Sequence, residues 1–165
     1  LQDPSFKSGI SLLQDFNLMF DILVFDYQLK GAISLVNDFP DQPFVLDHMA
    51  KPQISNEVDP NWKQNLEILG SFKNVYCKIS GLVTETDNFQ WKSKDFVPFL
   101  DVVNNSFGED RLMFGSDWPV CLSAATYSET ISLVQDYFSA FSEEIQEKIF
   151  GRNAVKFYNL DIKQV

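Results

Sequence analysis

The 165-residue sequence holds one histidine and only two cysteines, Cys77 and Cys121. Two thiols in a chain this long make no disulfide framework, and without C-x-x-C spacing they make no closed zinc site. Both follow apolar or aromatic residues in strand-like stretches, so buried free thiols are expected. Positive charge is scarce: 13 Lys and Arg against 23 Asp and Glu leave a net charge of −10. A nucleic-acid or anionic-membrane partner needs a basic face, so neither is expected. No apolar run approaches the ~20 residues that cross a bilayer. No secretory leader is visible, and with reduced thiols this sets a cytoplasmic expectation. The sequence starts Leu1-Gln2-Asp3-Pro4 without an initiator Met, which points to a processed or truncated chain. No linker or low-complexity run interrupts it, so residues 1–165 read as one domain. No G-x-G-x-x-G or P-loop glycine pattern follows any strand, which argues against nucleotide binding.

What is present is apolar mass with a rhythm. Apolar residues make up 45% of the chain, sixteen Phe among them, enough for a substantial core. Short β-rich runs alternate with helix-period segments. The strand candidates are Phe20 to Phe25, Pro43 to His48, Asn74 to Leu82, and Arg111 to Asp117. A first helix is predicted from Asp3 to Phe16, with Pro4 in its first turn. Leu29, Ala32, Ile33, Leu35 and Val36 form the face of the next. Asp59 caps a third at Pro60, with Trp62, Leu66, Leu69 and Phe72 on its face. Ser93 is expected to cap a fourth, with Phe96, Leu100, Val103 and Phe107 inward, Pro98 near its first turn and Gly108 after its end. Tyr127, Ile131, Val134 and Phe138 space a fifth. Ser142 caps a short one that stops at Gly151, and Asn153 caps a last one through Tyr158. Four β-α units in a row mean parallel pairing, since parallel neighbours need a crossover. An open doubly wound sheet and part of a closed barrel both fit this pattern.

In parallel α/β folds functional groups gather where strands end. Those ends carry Asp26-Tyr27-Gln28, Asp47-His48 with Lys51, Ser80-Gly81, and Asp117-Trp118. His48 is placed by strand alternation on the face of Leu46, opposite Asp47. An imidazole there can move a proton or bind a metal, although a lone histidine more often fills a rim position. Asp117 sits in Phe-Gly-Ser-Asp-Trp-Pro, where an indole and a proline would desolvate the carboxylate and make it a better base. A plain helix or turn cap is the competing reading. Lys51 can hold a substrate carboxylate or hydroxyl, or be a surface lysine. Lys78 shares a strand face with Tyr76 and Ser80 and needs a buried partner such as Asp117 or Asp47.

Four stretches in order carry a resemblance: Val45-Leu46-Asp47-His48-Met49-Ala50-Lys51-Pro52, Lys78-Ile79-Ser80-Gly81-Leu82, Leu112-Met113-Phe114-Gly115-Ser116-Asp117-Trp118-Pro119-Val120, and Gly151-Arg152-Asn153-Ala154 with Phe157-Tyr158. Together they resemble the amidohydrolase-related family of TIM-barrel hydrolases. The branch is that of sugar-acid lactonases such as L-fuconolactonase and L-rhamnonolactonase, akin to 2-pyrone-4,6-dicarboxylate lactonase. The resemblance implies an α/β chain supplying the last four β-α units of a (β/α)₈ barrel. It implies a missing N-terminal half whose first strand bears His-x-His. Asp117 resembles the general base that takes a proton from the attacking water. His48 resembles the residue that polarises the lactone carbonyl. In metal-dependent relatives His48 and Asp117 would be ligands of a divalent ion such as zinc. Lys51, and with it Tyr27, Gln28 and Trp118, fall where substrate contacts are expected. Asn153 is expected to be structural, as a helix cap.

Lactone hydrolysis is therefore the leading expectation, with a small lactone as partner. A metal-dependent decarboxylase of the same superfamily is the second. An inactive half-barrel fragment is the third, persisting as a homo-oligomer or bound to a missing N-terminal half, because a cut barrel exposes two sheet edges.

Overall fold

A computed structural model describes residues 1–161. Four parallel strands form one sheet in chain order: β1 (Phe20–Ile22), β2 (Phe44–Leu46), β3 (Val75–Ile79) and β4 (Leu112–Phe114). The register pairs Asp21 with Val45, Val45 with Tyr76, and Lys78 with Met113. Side chains alternate across a strand, so the sheet sorts them into two faces. Ile22, Phe44, Leu46, Val75, Cys77, Ile79 and Leu112 are buried on one face in the main core with the helices. Asp21, Val45, Tyr76, Lys78 and Met113 share the other.

The helices follow the apolar spacing. They are α1 (Pro4–Leu12), α2 (Leu29–Asp38), α3 (Pro60–Ser71), α4 (Ser93–Phe107), α5 (Tyr127–Phe138), α6 (Glu143–Glu147) and α7 (Asn153–Phe157). Asp3 and Asp59 cap α1 and α3, each accepting two backbone N–H groups, and each helix opens with a proline. Trp62, Leu66, Leu69, Phe96, Leu100 and Val103 are buried as the spacing required. Each fully buried Leu or Phe contributes roughly 2 kcal/mol. Both cysteines are free and buried. No helix among the described residues is long and apolar enough to cross a membrane.

Several expectations need correction. All four strands are shorter than their apolar runs, because the chain leaves the sheet once pairing stops. Helix α1 tightens into a 3-10 turn at Leu13–Phe16, ended by Asn17 in the left-handed region. Ser93 is the first helical residue of α4 rather than its cap; the Asp95 carboxylate accepts the Lys92 N–H at 2.8 Å instead. Pro98 stands six residues into α4, in the second turn. Helix α5 turns Thr130, Leu133, Val134 and Phe138 inward, while Tyr127 is exposed. Gly151 does not stop a helix: α6 runs through a π turn at Lys148–Arg152 into α7. Asn153 is no cap. Its amide donates to the carbonyls of Glu109 and Leu112 at 2.7 and 2.8 Å, tying α7 to β4.

That tie swings the last helix over the second sheet face. Phe157 packs on Tyr76 with ring centroids 4.7 Å apart and closes a small cluster with Val45 and Met113. β1 and β4 each have one strand neighbour in the sheet. Exposed apolar residues follow both: Leu23, Phe25 and Tyr27 after β1, and Trp118, Val120 and Leu122 after β4.

Candidate functional site

The site begins where β2 stops. His48, Met49, Ala50 and Lys51 all have left-handed backbone, with φ of 52°, 52°, 61° and 51°. For L residues that conformation costs roughly 1–2 kcal/mol each. The turn persists because its centre is buried and bonded. Met49 and Ala50 are fully buried. The indole N–H of Trp62 donates to the Met49 carbonyl at 2.8 Å, and the Lys51 N–H donates to the His48 carbonyl at 2.8 Å. The turn also overturns the alternation argument. Strict pleating would send His48 under the helices beside Leu46; the left-handed backbone swings it toward the ends of β3 and β4.

There His48 meets two groups. Its Nδ1 lies 2.8 Å from the Ser80 Oγ, and its Nε2 lies 3.8 Å from the Asp117 Oδ1. In the tautomer with its proton on Nε2, that N–H faces Asp117 and Nδ1 accepts from the Ser80 hydroxyl. At 3.8 Å the Nε2–Asp117 contact is too long for a hydrogen bond. Among the described residues no hydrogen bond reaches the Asp117 carboxylate, which is 15% exposed. Asp117 is itself left-handed, with φ of 56°, so it lies in the loop beyond β4 and not on the strand.

Two glycines make the room. Gly81 has φ of 66°, and a Cβ there would stand 3.0 Å from the His48 Cβ, Cγ and Nδ1. A Cβ on Gly115 would stand 3.1 Å from the Ser80 Cβ. The chain from Gly115 through Ser80 to the imidazole is therefore closely packed. The sequence marks Ser80 as a polar strand end on the face of Tyr76 and Lys78, without a role toward His48. The signal that singles out Ser80 is its parity with Tyr76 and Lys78 on β3, combined with a glycine on either side of the packed group.

Lys78 is paired with Asp21 at 2.5 Å and Asp47 at 2.8 Å, and not with Asp117. The Asp47 contact is an ion pair without a well-aimed hydrogen bond, since Asp47 Oδ1 has no directed donor. The Tyr158 hydroxyl joins the cluster, 3.0 Å from both oxygens of Asp21. Burial alone would lower the lysine pKa, but the two carboxylates outweigh it and hold it above the ordinary value. Burial pushes the Tyr158 hydroxyl up to about 12. Burial, with the Asp47 charge added, also drives the Cys77 thiol far up, so it is no nucleophile at neutral pH.

The remaining candidates lie on the loops after β1, β2 and β4. Lys51 Nζ lies 3.1 Å from Glu85 Oε1 and 5.7 Å from the Phe25 ring centroid. Tyr27 is 76% exposed and stacks on Phe25, with planes 5° apart and centroids separated by 5.6 Å. The Gln28 side-chain oxygen accepts the Phe25 N–H at 3.0 Å, which fixes this aromatic pair. Trp118 is exposed beside Asp117, ahead of a cis peptide to Pro119. Thus His48, Ser80 and Asp117 come together, Lys51 lies one turn from His48, Trp118 follows Asp117, and Tyr27 and Gln28 connect to Lys51 through Phe25.

Two metal ligands would present such a pair as His48 and Asp117. Among the described residues no group of three His, Cys, Asp or Glu side chains gathers around a common point. A catalytic zinc takes three protein ligands, so the described residues fit a partial site and no more.

The chain resembles known proteins along nearly its whole length. A family model described as amidohydrolase matches residues 1–160. An L-fucono-1,5-lactonase from Burkholderia multivorans is 36% identical over 97% of this chain and 57% of its own length. An L-rhamnono-gamma-lactonase from Scheffersomyces stipitis is 26% identical, over 97% of this chain and 55% of its own. The crystal structure of an amidohydrolase from Burkholderia multivorans with bound zinc superposes with a TM-score of 0.90 at 36% identity, covering 96% of this chain and 58% of that one. The chain thus spans little more than half the length of these relatives. With that match along nearly its whole length, the chain belongs to the amidohydrolase family.

Proposed function

We propose that the protein hydrolyses a small sugar-acid lactone, its four β-α units forming the last four of an eight-stranded barrel. The lactonase relatives support the class, and their greater length supports the barrel. The observation that carries the chemistry is the 3.8 Å separation of His48 Nε2 from Asp117 Oδ1, at the loop ends of β2 and β4.

Ester hydrolysis needs a base for water, a donor for the developing oxyanion and a proton for the leaving oxygen. Asp117, free of other hydrogen bonds among the described residues, takes the proton from water as its oxygen bonds to the lactone carbonyl carbon. The Nε2–H of His48 donates to the carbonyl oxygen as negative charge builds there. When the ring C–O bond breaks, the proton on Asp117 passes to the departing ring oxygen. The product is a hydroxy acid, released as its carboxylate. Ser80 keeps Nδ1 as an acceptor and so keeps the proton on Nε2. Tyr27 on Phe25 offers a flat apolar surface for the sugar ring, Lys51 contacts substrate oxygens, and Trp118 walls the side next to Asp117.

Hydrolysis of L-fucono-1,5-lactone and L-rhamnono-γ-lactone by the intact protein, followed by acid release, tests this reading. Turnover of at least one aldonolactone well above the spontaneous rate is expected. No turnover across a panel of such lactones would overturn it.

A further inference from the structure

Lys51 and Glu85 come from different loops, and the backbone holds them together. The loop after β2 is bonded to the loop after β3 by the Ile54 N–H donating to the Glu85 carbonyl at 2.9 Å, with a parallel bridge between Ile54 and Thr86. The ion pair on top of this tie measures 3.1 Å, and its two side chains are only 22% and 20% exposed. It is therefore a fixed pair and not a mobile surface contact. It lines a groove of about 360 Å³ with Phe25, Asp26, Thr84 and Asp87. Lys51 closes the left-handed turn that His48 opens, its N–H donating to the His48 carbonyl at 2.8 Å, so the groove begins one turn from the imidazole. Within it one cation faces three carboxylates.

We propose that Glu85 makes this groove charge-selective, admitting neutral polyhydroxylated ligands and turning away carboxylates. A free lysine is a carboxylate binder. With Glu85 on it, the same ammonium presents a donor beside an acceptor, which suits vicinal hydroxyls. Asp26 and Asp87 add further repulsion for an anion. If the site hydrolyses lactones, as proposed above, the device also has direction: a neutral ring enters and the carboxylate formed on opening is expelled.

Equilibrium binding of L-fuconate to the intact protein, measured by calorimetry, tests the selectivity without any turnover. Glu85→Gln is expected to bind this anion about tenfold more tightly than wild type at low salt. The gain should shrink at ~1 M salt, where the screening length falls to about 3 Å. Glu85→Asp, which keeps the charge, is expected to follow wild type. Glu85→Gln binding L-fuconate no more tightly than wild type, or Glu85→Asp matching Glu85→Gln, overturns the proposal. A wild-type protein that opens no lactone sinks the lactonase reading alone, because the binding comparison still decides the role of Glu85.

Discussion

The hydroxyl of Ser80 lies 2.8 Å from Nδ1 of His48, on the side of the ring away from Asp117. In the Nε2–H tautomer the Ser80 hydroxyl donates to Nδ1, and the bond holds the ring in place. Ser80→Ala removes it while leaving the packing volume almost unchanged. A neutral hydrogen bond of this kind is worth about 1 kcal/mol, so kcat/KM should fall about fivefold with little change in thermal midpoint. Ser80→Thr keeps the hydroxyl and should recover part of the loss. Lactone hydrolysis rates for the two variants check this.

Gly81 carries two demands at once, a positive φ and space for the imidazole. Gly81→Ala meets neither. The backbone alone should cost roughly 1–2 kcal/mol of stability, and the added methyl displaces His48. Urea unfolding and kcat should both drop, which separates this variant from Ser80→Ala.

The left-handed turn that aims His48 depends on Trp62, whose N–H ends on the Met49 carbonyl in a buried setting. Trp62→Phe keeps most of the apolar surface and leaves that carbonyl without its donor. A loss of about 1–3 kcal/mol is expected in urea unfolding, with a fall in kcat larger than any change in KM.

The Lys78 cluster sets an alkaline limit. Lys78 is held above its ordinary pKa and Tyr158 is pushed to about 12, while in the unfolded chain both release their protons near pH 10. Above roughly pH 10 the folded state therefore binds more protons than the unfolded one, and stability falls as pH rises. Below that pH these groups contribute fully. Lys78→Met leaves Asp21 and Asp47 without a counter-charge and should cost about 2–3 kcal/mol at neutral pH. Denaturant midpoints between pH 7 and 11 check both statements.

The order of elements could be read from the sequence because apolar spacing is a local signal. Trp62, Leu66 and Leu69 face the core as their offsets require. The strand ends were less legible. Nothing local in Asp47-His48-Met49-Ala50-Lys51 announces four consecutive left-handed residues; tertiary bonds and burial hold them there. His48 and Asp117 were identifiable as residues worth following, but their meeting depends on loops after two strands separated by a third. Glu85 escaped, and Ser80 was marked only as a strand-end residue without a partner, because a serine and a glutamate become distinctive only beside Nδ1 of His48 and Nζ of Lys51. The helix face of α5 rotated because Thr130, able to bond the Thr126 carbonyl at 3.0 Å, could be buried in place of Ile131.

Asp117→Asn in the intact protein is the most direct test of the account. The substitution keeps size and shape and removes the base opposite His48 Nε2. The account expects kcat for L-fucono-1,5-lactone to fall by at least about a hundredfold, within the range that general base catalysis contributes, with the unfolding midpoint held close to wild type. Turnover by the variant at the wild-type rate would show that the carboxylate beside His48 is not the base and would contradict the mechanism.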